Sequence, residues 1–227
     1  MDRIIVIDKP KGPTSHDIVD IVRRTFNIKK VGHAGTLDPM ATGVLVILTG
    51  KCTKESGRFS DDDKEYEGEL TLGATSDTED AEGVITDSGS STNIDPIRIK
   101  EVFDCFLGSI EQVPSAYSAV KHKGKKLYEL ARKGIRVEIA PRKITISRLD
   151  ITEISIPKVK FCVTCSKGTY IRKLAADIGQ RLGCGAYLSA LRRTRSGKFT
   201  IDQAITLDKL SKLTTSGSAG SPSLEPS

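Results

Sequence analysis

No stretch of this sequence approaches the roughly 18 consecutive apolar residues of a membrane-spanning helix. The apolar run nearest the start, Ile4–Ile7, is far shorter than the roughly 7–15 residues of a signal-peptide core. That layout predicts no secretory leader and a cytoplasmic protein. Cysteine is sparse and odd in number, five in 227 residues, which predicts reduced thiols and no disulfide framework. One C-x-x-C occurs, Cys162-Val-Thr-Cys165, but no second cysteine pair follows it, and it lies in an alternating run typical of a strand. The three histidines, His16, His33 and His122, show no metal-ligand spacing. A Walker motif and a G-x-G-x-x-G turn are also missing. The expectation is therefore a protein without metal or nucleotide cofactor.

What is there is an ordinary globular composition, 37% hydrophobic and 28% charged, with room for one large domain. Lys and Arg outnumber Asp and Glu by 35 to 29, an excess that permits a polyanionic partner without requiring one. Ile4–Ile7 reads as a short buried strand ended by the turn Asp8–Pro13. Thr14 and Asp17 have capping-box spacing and open a helix with apolar Ile18, Ile21 and Val22. Val44–Leu48 is a continuous apolar run, as in a strand covered on both faces. Tyr66, Gly68, Leu70 and Leu72 alternate with polar residues, the period of a half-buried strand. A helix is predicted after Asp95-Pro96, with the stripe Ile99, Val102, Phe103, Phe106 and Leu107 and a stop at Gly108. Strands are predicted through Ile144–Ile156 and Val159–Cys165. A last strong helix carries Ile171, Leu174, Ala175, Ile178 and Leu182 and ends at Gly183. Residues 1–213 show no internal break or repeat, and 214–227 read as a disordered Ser/Gly/Pro-containing tail. The mixed order of elements points to an α+β fold.

Chemistry is suggested first by Asp38, between Gly35-Thr36-Leu37 and Pro39 and just ahead of the Val44–Leu48 run. Gly35 and Gly43 allow tight bends, and Pro39 biases Asp38 toward an extended backbone. Local spacing leaves two readings open. Asp38 is a turn aspartate bonding its own backbone, or it is a carboxylate held at the lip of a rigid strand to act on a ligand.

The surrounding segment, Gly32–Leu45 (GHAGTLDPMATGVL), closely resembles the catalytic motif of TruB-type tRNA pseudouridine synthases. Asp8-Lys9-Pro10, the SHDIV start of the first helix, Lys64–Tyr66, Leu72-Gly73 and Asp77–Gly83 resemble further motifs of that family. So do Pro114–Gly124 (PSAYSAVKHKG), Lys167–Leu174 (KGTYIRKL) and Gly183–Arg193, all in family order over about residues 4 to 210. The resemblance implies a pseudouridine synthase fold: a mixed, mostly antiparallel sheet flanked by helices, with a basic inserted segment that closes over RNA. It implies isomerisation of the T-loop uridine of tRNA, which needs no redox cofactor, metal or ATP.

Asp38 would then be the nucleophile. Attack at the ribose C1′ and at C6 of the base both remain open. A nucleophilic carboxylate must stay ionised where water is excluded. Burial raises its pKa and a guanidinium lowers it, and Arg172 resembles the family arginine that pairs with the aspartate. By the same resemblance Tyr66 stacks on the flipped uracil and Tyr170 lies beside the nucleophile. Leu191 walls the uridine pocket, Lys64 contributes to substrate binding, and His33 fills the space left by the extruded nucleotides. Residues 115–143 match the family's RNA-gripping insertion, with Lys121, Lys125, Lys126, Arg132 and Arg142 as candidate phosphate contacts. Arg192 and Arg193 head a second candidate phosphate patch. Many family members continue into a PUA domain, and the expectation here is a monomeric form without it that acts on the T-arm with no obligate protein partner. Rival readings are the catalytic subunit of an RNA-guided synthase and an RNA-folding chaperone.

Overall fold

The computed structural model describes residues 2–88, 94–115, 117, 121, 122, 124–127, 130, 133–135 and 137–215. The predicted candidate Arg132, and the tail from residue 216, lie outside them.

Contacts group the chain into two compact units, one of residues up to Tyr66 together with those from Leu191 onward, the other Glu67–Ala190. Composition gives no hint of this division, because the chain passes between units inside two continuous strands and not through a linker.

In the first unit β1 (Ile4–Lys9) pairs antiparallel with β3 (Thr42–Thr49), and β2 (Val31–Ala34) pairs with the same strand, His33 opposite Ile47. Strand β3 is buried from Gly43 to Thr49, so the continuous apolar run reflects cover on both faces. Strand β1 runs to Lys9, two residues beyond the apolar run. It does so because Asp8 and Lys9 keep pairing with Val44 and Gly43. Helix α1 (Ser15–Thr25) begins at Thr14 with the capping box to Asp17 that the sequence predicts. Its buried face, Ile18, Val19 and Val22, is fully covered, each side chain contributing about 1.5–3 kcal/mol of burial. A short helix α2 (Ser56–Ser60) precedes β4 (Lys64–Leu72), whose residues 64, 66, 68, 70 and 72 are all buried.

In the second unit come β5 (Ala74–Ser76) and β6 (Ile85–Asp87), then helix α3 (Pro96–Asp104) and β7 (Gly108–Gln112). The helix ends at Asp104, short of the predicted stop. Phe106 and Leu107 lie in turns, and Gly108, at φ +87°, opens the next strand. Two short strands, β8 (Lys121–His122) and β9 (Lys125–Lys126), pair with each other. Long β10 (Arg142–Ser155) pairs antiparallel with β7 and with β11 (Lys158–Cys165). Helix α4 (Ile171–Leu182) stops at Gly183, whose left-handed φ of +83° suits a residue without Cβ.

Strand β12 (Ala186–Ser196) returns the chain to the first unit, where Arg192 and Arg193 pair in parallel with Thr42 and Gly43. Short β13 (Phe199–Thr200) pairs with it, and α5 (Leu207–Thr215) follows. This last helix takes in Thr214 and Thr215, which the sequence assigns to the tail. The fold is mixed α and β with mostly antiparallel pairing, as expected. All five cysteines are free thiols, and no helix among the described residues is long and apolar enough to cross a membrane.

Candidate active site

Residues 35–41 connect β2 to β3 and carry Asp38. Leu37 and Met40, each 3% exposed, are buried on either side of it, so the half-buried Asp38 is presented from a loop anchored at two points. The loop's carbonyls have fixed partners. Arg193, 1% exposed, donates from Nη2 to Gly35 O (3.0 Å), from Nη1 to Thr36 O (3.3 Å) and from Nε to Val44 O (2.7 Å). Lys9 is fully buried and donates from Nζ to Pro39 O (3.2 Å), Ala41 O (2.7 Å) and Pro10 O (3.0 Å). Ser15 Oγ donates to Leu37 O and accepts from Leu37 N–H, at 2.9 and 2.8 Å. Gly12 N–H reaches Pro39 O at 2.8 Å, and Ala41 N–H reaches Asp38 O at 3.1 Å. Two buried cations thus compensate a turn's worth of carbonyl dipoles.

Gly43 is required where the loop joins β3. Its φ is +99°, and a Cβ there would lie 2.2 Å from Arg193 O. His33 sits on β2 with Nδ1 buried and without a hydrogen-bond partner among the described residues. Burial first, then the charges of Arg193 and His16, hold its pKa below the usual histidine value. Tyr66 and Leu191, each 8% exposed, and Lys64, 6% exposed, belong to this unit too. Lys64 Nζ donates to the carbonyls of Ser60 (2.6 Å) and Asp62.

The second unit holds Tyr170 and Arg172 at the start of α4. Tyr170 is the helix's N-cap residue, extended at φ −99° and ψ 105°. Buried Gln112, at the end of β7, grips its backbone: Oε1 accepts Tyr170 N–H at 2.8 Å and Nε2 donates to Tyr170 O at 3.1 Å. Arg172, 6% exposed, donates to Thr78 O and Tyr117 O, both at 3.1 Å, and lies 3.4 Å from Asp80 Oδ2. Asp80, 2% exposed, also accepts from Thr78 Oγ1 and Glu82 N–H. Glu79 between them has φ +67° and a buried Oε2 without a partner among the described residues. Burial raises its pKa, against the lowering effects of a hydrogen bond from Ser115 and the charges of Lys173 and Arg172.

The first unit thus presents a carboxylate on a pinned loop and a buried tyrosine, and the second holds an arginine at the start of a helix. The profile of the TruB family pseudouridylate synthase N-terminal domain matches residues 23–171. This chain belongs to the TruB family. A second profile, the tRNA pseudouridylate synthase B C-terminal domain, matches residues 172–223 of the TruB-family chain. Among curated relatives, tRNA pseudouridine synthase B of Alkaliphilus oremlandii (strain OhILAs) is 51% identical over 213 residues, 94% of this chain and 71% of that protein. The protein of the same name from Geobacter sulfurreducens (strain ATCC 51573 / DSM 12127 / PCA) is 45% identical over 227 residues, covering 100% of this chain and 75% of that one. Among solved structures, a Cbf5-Nop10-Gar1 complex contains a chain 34% identical, with TM-score 0.74. The match covers 92% of this chain and 53% of that one, so this chain spans about half its length.

Within this TruB-family chain, Asp38, His33, Lys64, Tyr66, Leu191, Arg192 and Arg193 belong to one unit, and Tyr170, Arg172, Lys121, Lys125, Lys126 and Arg142 to the other. Arg193 corrects an expectation. It faces inward onto loop carbonyls and not toward phosphate, because alternation along β12 turns it the opposite way from Arg192. Arg192 is half-exposed and pairs with both oxygens of Asp8, at 3.2 and 2.9 Å. Lys125 and Arg142 are exposed. Lys9 and Ser15 lie in segments that resemble family motifs, but their hold on the Asp38 loop, like that of Gln112 on Tyr170, is made to backbone groups and leaves no side-chain pairing to read. Among the described residues no group of His, Cys, Asp and Glu could hold a metal ion.

Proposed function

We propose that this chain isomerises the T-loop uridine of tRNA, U55, to pseudouridine with Asp38 as nucleophile. The observation that carries this reading is the fixed loop, with Leu37 and Met40 buried and its carbonyls tied to Lys9, Ser15 and Arg193. Such a loop delivers one carboxylate at a defined point, the requirement for covalent catalysis on a bound base. The names of the curated relatives support the substrate.

In the reaction the N1–C1′ bond of uridine breaks and a C5–C1′ bond forms. C5 loses its proton and N1 gains one, so atoms balance without an added reagent. Asp38 makes the transient covalent link. Tyr66 stacks on the flipped uracil and assists removal of the C5 proton. Tyr170 and Leu191 bound the base, His33 occupies space vacated by extruded nucleotides, and Arg172 is the counter-charge that keeps Asp38 ionised. Lys64, at the start of the strand that carries Tyr66, contributes to substrate binding. Lys121, Lys125, Lys126, Arg132, Arg142 and Arg192 contact phosphates. The enzyme works as a cytoplasmic monomer on one T-arm at a time.

The likeness to Cbf5 chains solved with Nop10 and Gar1 favours a second reading, a subunit that acts only within an assembly. One experiment separates the two. Wild type and Asp38→Asn are incubated with an unmodified tRNA transcript and with its isolated T-arm, without guide RNA or other protein, and pseudouridine is mapped. Wild type is expected to modify both and Asp38→Asn neither. No product from wild type refutes the free-standing activity, and equal product from the variant refutes the role of Asp38.

A further inference from the structure

We infer that Gln112 is a positioning residue for Tyr170, tying the neck of the basic segment to the start of α4. The inference rests on the proposed role of Tyr170 at the reacting base.

Gln112 is the last residue of β7 and is 3% exposed. Across the strand pair it stands opposite Arg142, the first residue of β10. The basic segment leaves the sheet after Gln112 and returns at Arg142, so this pair closes its base. From that place the Gln112 amide reaches a backbone 58 residues away and matches it donor to acceptor at 2.8 and 3.1 Å. The side chain does for Tyr170 what a neighbouring strand does for a β residue.

Tyr170 needs such a partner. As an N-cap residue in extended conformation its N–H has no intrahelical acceptor, and it has no side-chain capping bond of its own. Its carbonyl receives Leu174 N–H at 3.0 Å as well as the Gln112 amide, while its N–H is met by Gln112 Oε1. A second link runs in parallel. Tyr117, five residues beyond Gln112, offers its carbonyl to Arg172 Nη2 at 3.1 Å. The segment therefore meets the first turn of α4 twice, at the two residues assigned to the chemistry.

The amide is specific to this job. A methionine fills the same volume and offers neither bond. A glutamate keeps the acceptor for Tyr170 N–H but turns an oxygen toward Tyr170 O. The test compares wild type, Gln112→Met and Gln112→Glu for kcat and KM on a tRNA transcript. Amide exchange is followed by mass spectrometry in a peptide containing Tyr170 and in one containing Ile144 and Ile146. Gln112→Met is expected to lower kcat on the order of 10- to 100-fold with KM changed less than about twofold, as for a misplaced reacting group. Exchange should accelerate at Tyr170 and stay at the wild-type rate in β10. Gln112→Glu should fall between the two and carries the test alone if Gln112→Met fails to fold. Wild-type kcat in the variants, an effect confined to KM, or equal loss of protection in β10 would overturn the assignment. A wild type that forms no pseudouridine would refute the proposed function, and the role of Gln112 with it. An active wild type beside unaffected variants refutes Gln112 alone.

Discussion

Replacing Arg193 with methionine separates two roles that an arginine in a tRNA-modifying enzyme can have. In the structure its guanidinium is spent on Gly35 O, Thr36 O and Val44 O, at 3.0, 3.3 and 2.7 Å. Bonds from a charged donor contribute about 1.5–3 kcal/mol each, so the gross loss is about 4.5–9 kcal/mol. Returning the guanidinium to water, and the packing of the methionine stem, offset part of this. The net expectation is destabilisation by about 2–4 kcal/mol. For a chain of this size that lowers Tm by about 4–16 °C. The Asp38 loop loses its hold on two carbonyls, so kcat should fall in the fraction that remains folded while KM changes little. Arg193→Lys should recover part of the stability, since a compact ammonium does not reproduce the spread of three guanidinium nitrogens that each meet a different carbonyl here. Thermal melts and steady-state kinetics at two salt concentrations measure all of this. Were Arg193 a phosphate contact instead, the methionine variant would keep its Tm, raise KM and reduce the salt slope by about one. That result would refute the account of the loop given above.

Two further outcomes follow from local geometry. Gly43→Ala should fail to fold or lose most of its stability, because the new Cβ would meet Arg193 O at 2.2 Å from a backbone at φ +99°; soluble yield and a melt suffice to check it. Burial raises the pKa of Glu79 in the folded chain above the ordinary 4.5, so the native state holds this proton at pH values where the unfolded chain has lost it. Stability from this group is full below the unfolded value and declines as pH rises toward the folded one. Glu79→Gln should therefore gain stability relative to wild type at pH 7 compared with pH 4, read from denaturant midpoints. A difference independent of pH would contradict the shift.

Much of the fold is legible in the sequence because it is written in side-chain periodicity. The alternation at Tyr66, Gly68, Leu70 and Leu72 and the Thr14–Asp17 box are local patterns, and the structure contains both. The end of α3 is less legible. Phe106 and Leu107 continue the apolar stripe, yet the chain must turn at Cys105 to bring Gly108 into register with Ile146. The cations around the Asp38 loop are the least legible part of the site. Lys9 and Arg193 are residue types that composition assigns to surfaces, and only the carbonyls of a distant loop make an interior site for them. The Gln112–Tyr170 pairing is hidden for the same reason, since one partner is backbone and carries no residue identity.

The connection between β2 and β3 has a consequence for how this protein can vary over time. Surface loops ordinarily absorb insertions and deletions more freely than the strands they join. Here six of the seven carbonyls from Gly35 to Ala41 have a named donor: Arg193 for Gly35 and Thr36, Ser15 for Leu37, Ala41 N–H for Asp38, and Lys9 for Pro39 and Ala41. One added or deleted residue would shift these acceptors past their donors and move Leu37 or Met40 out of its socket. Descendants of this sequence are thus free to change the identity of exposed Thr36 while the length of the loop stays fixed.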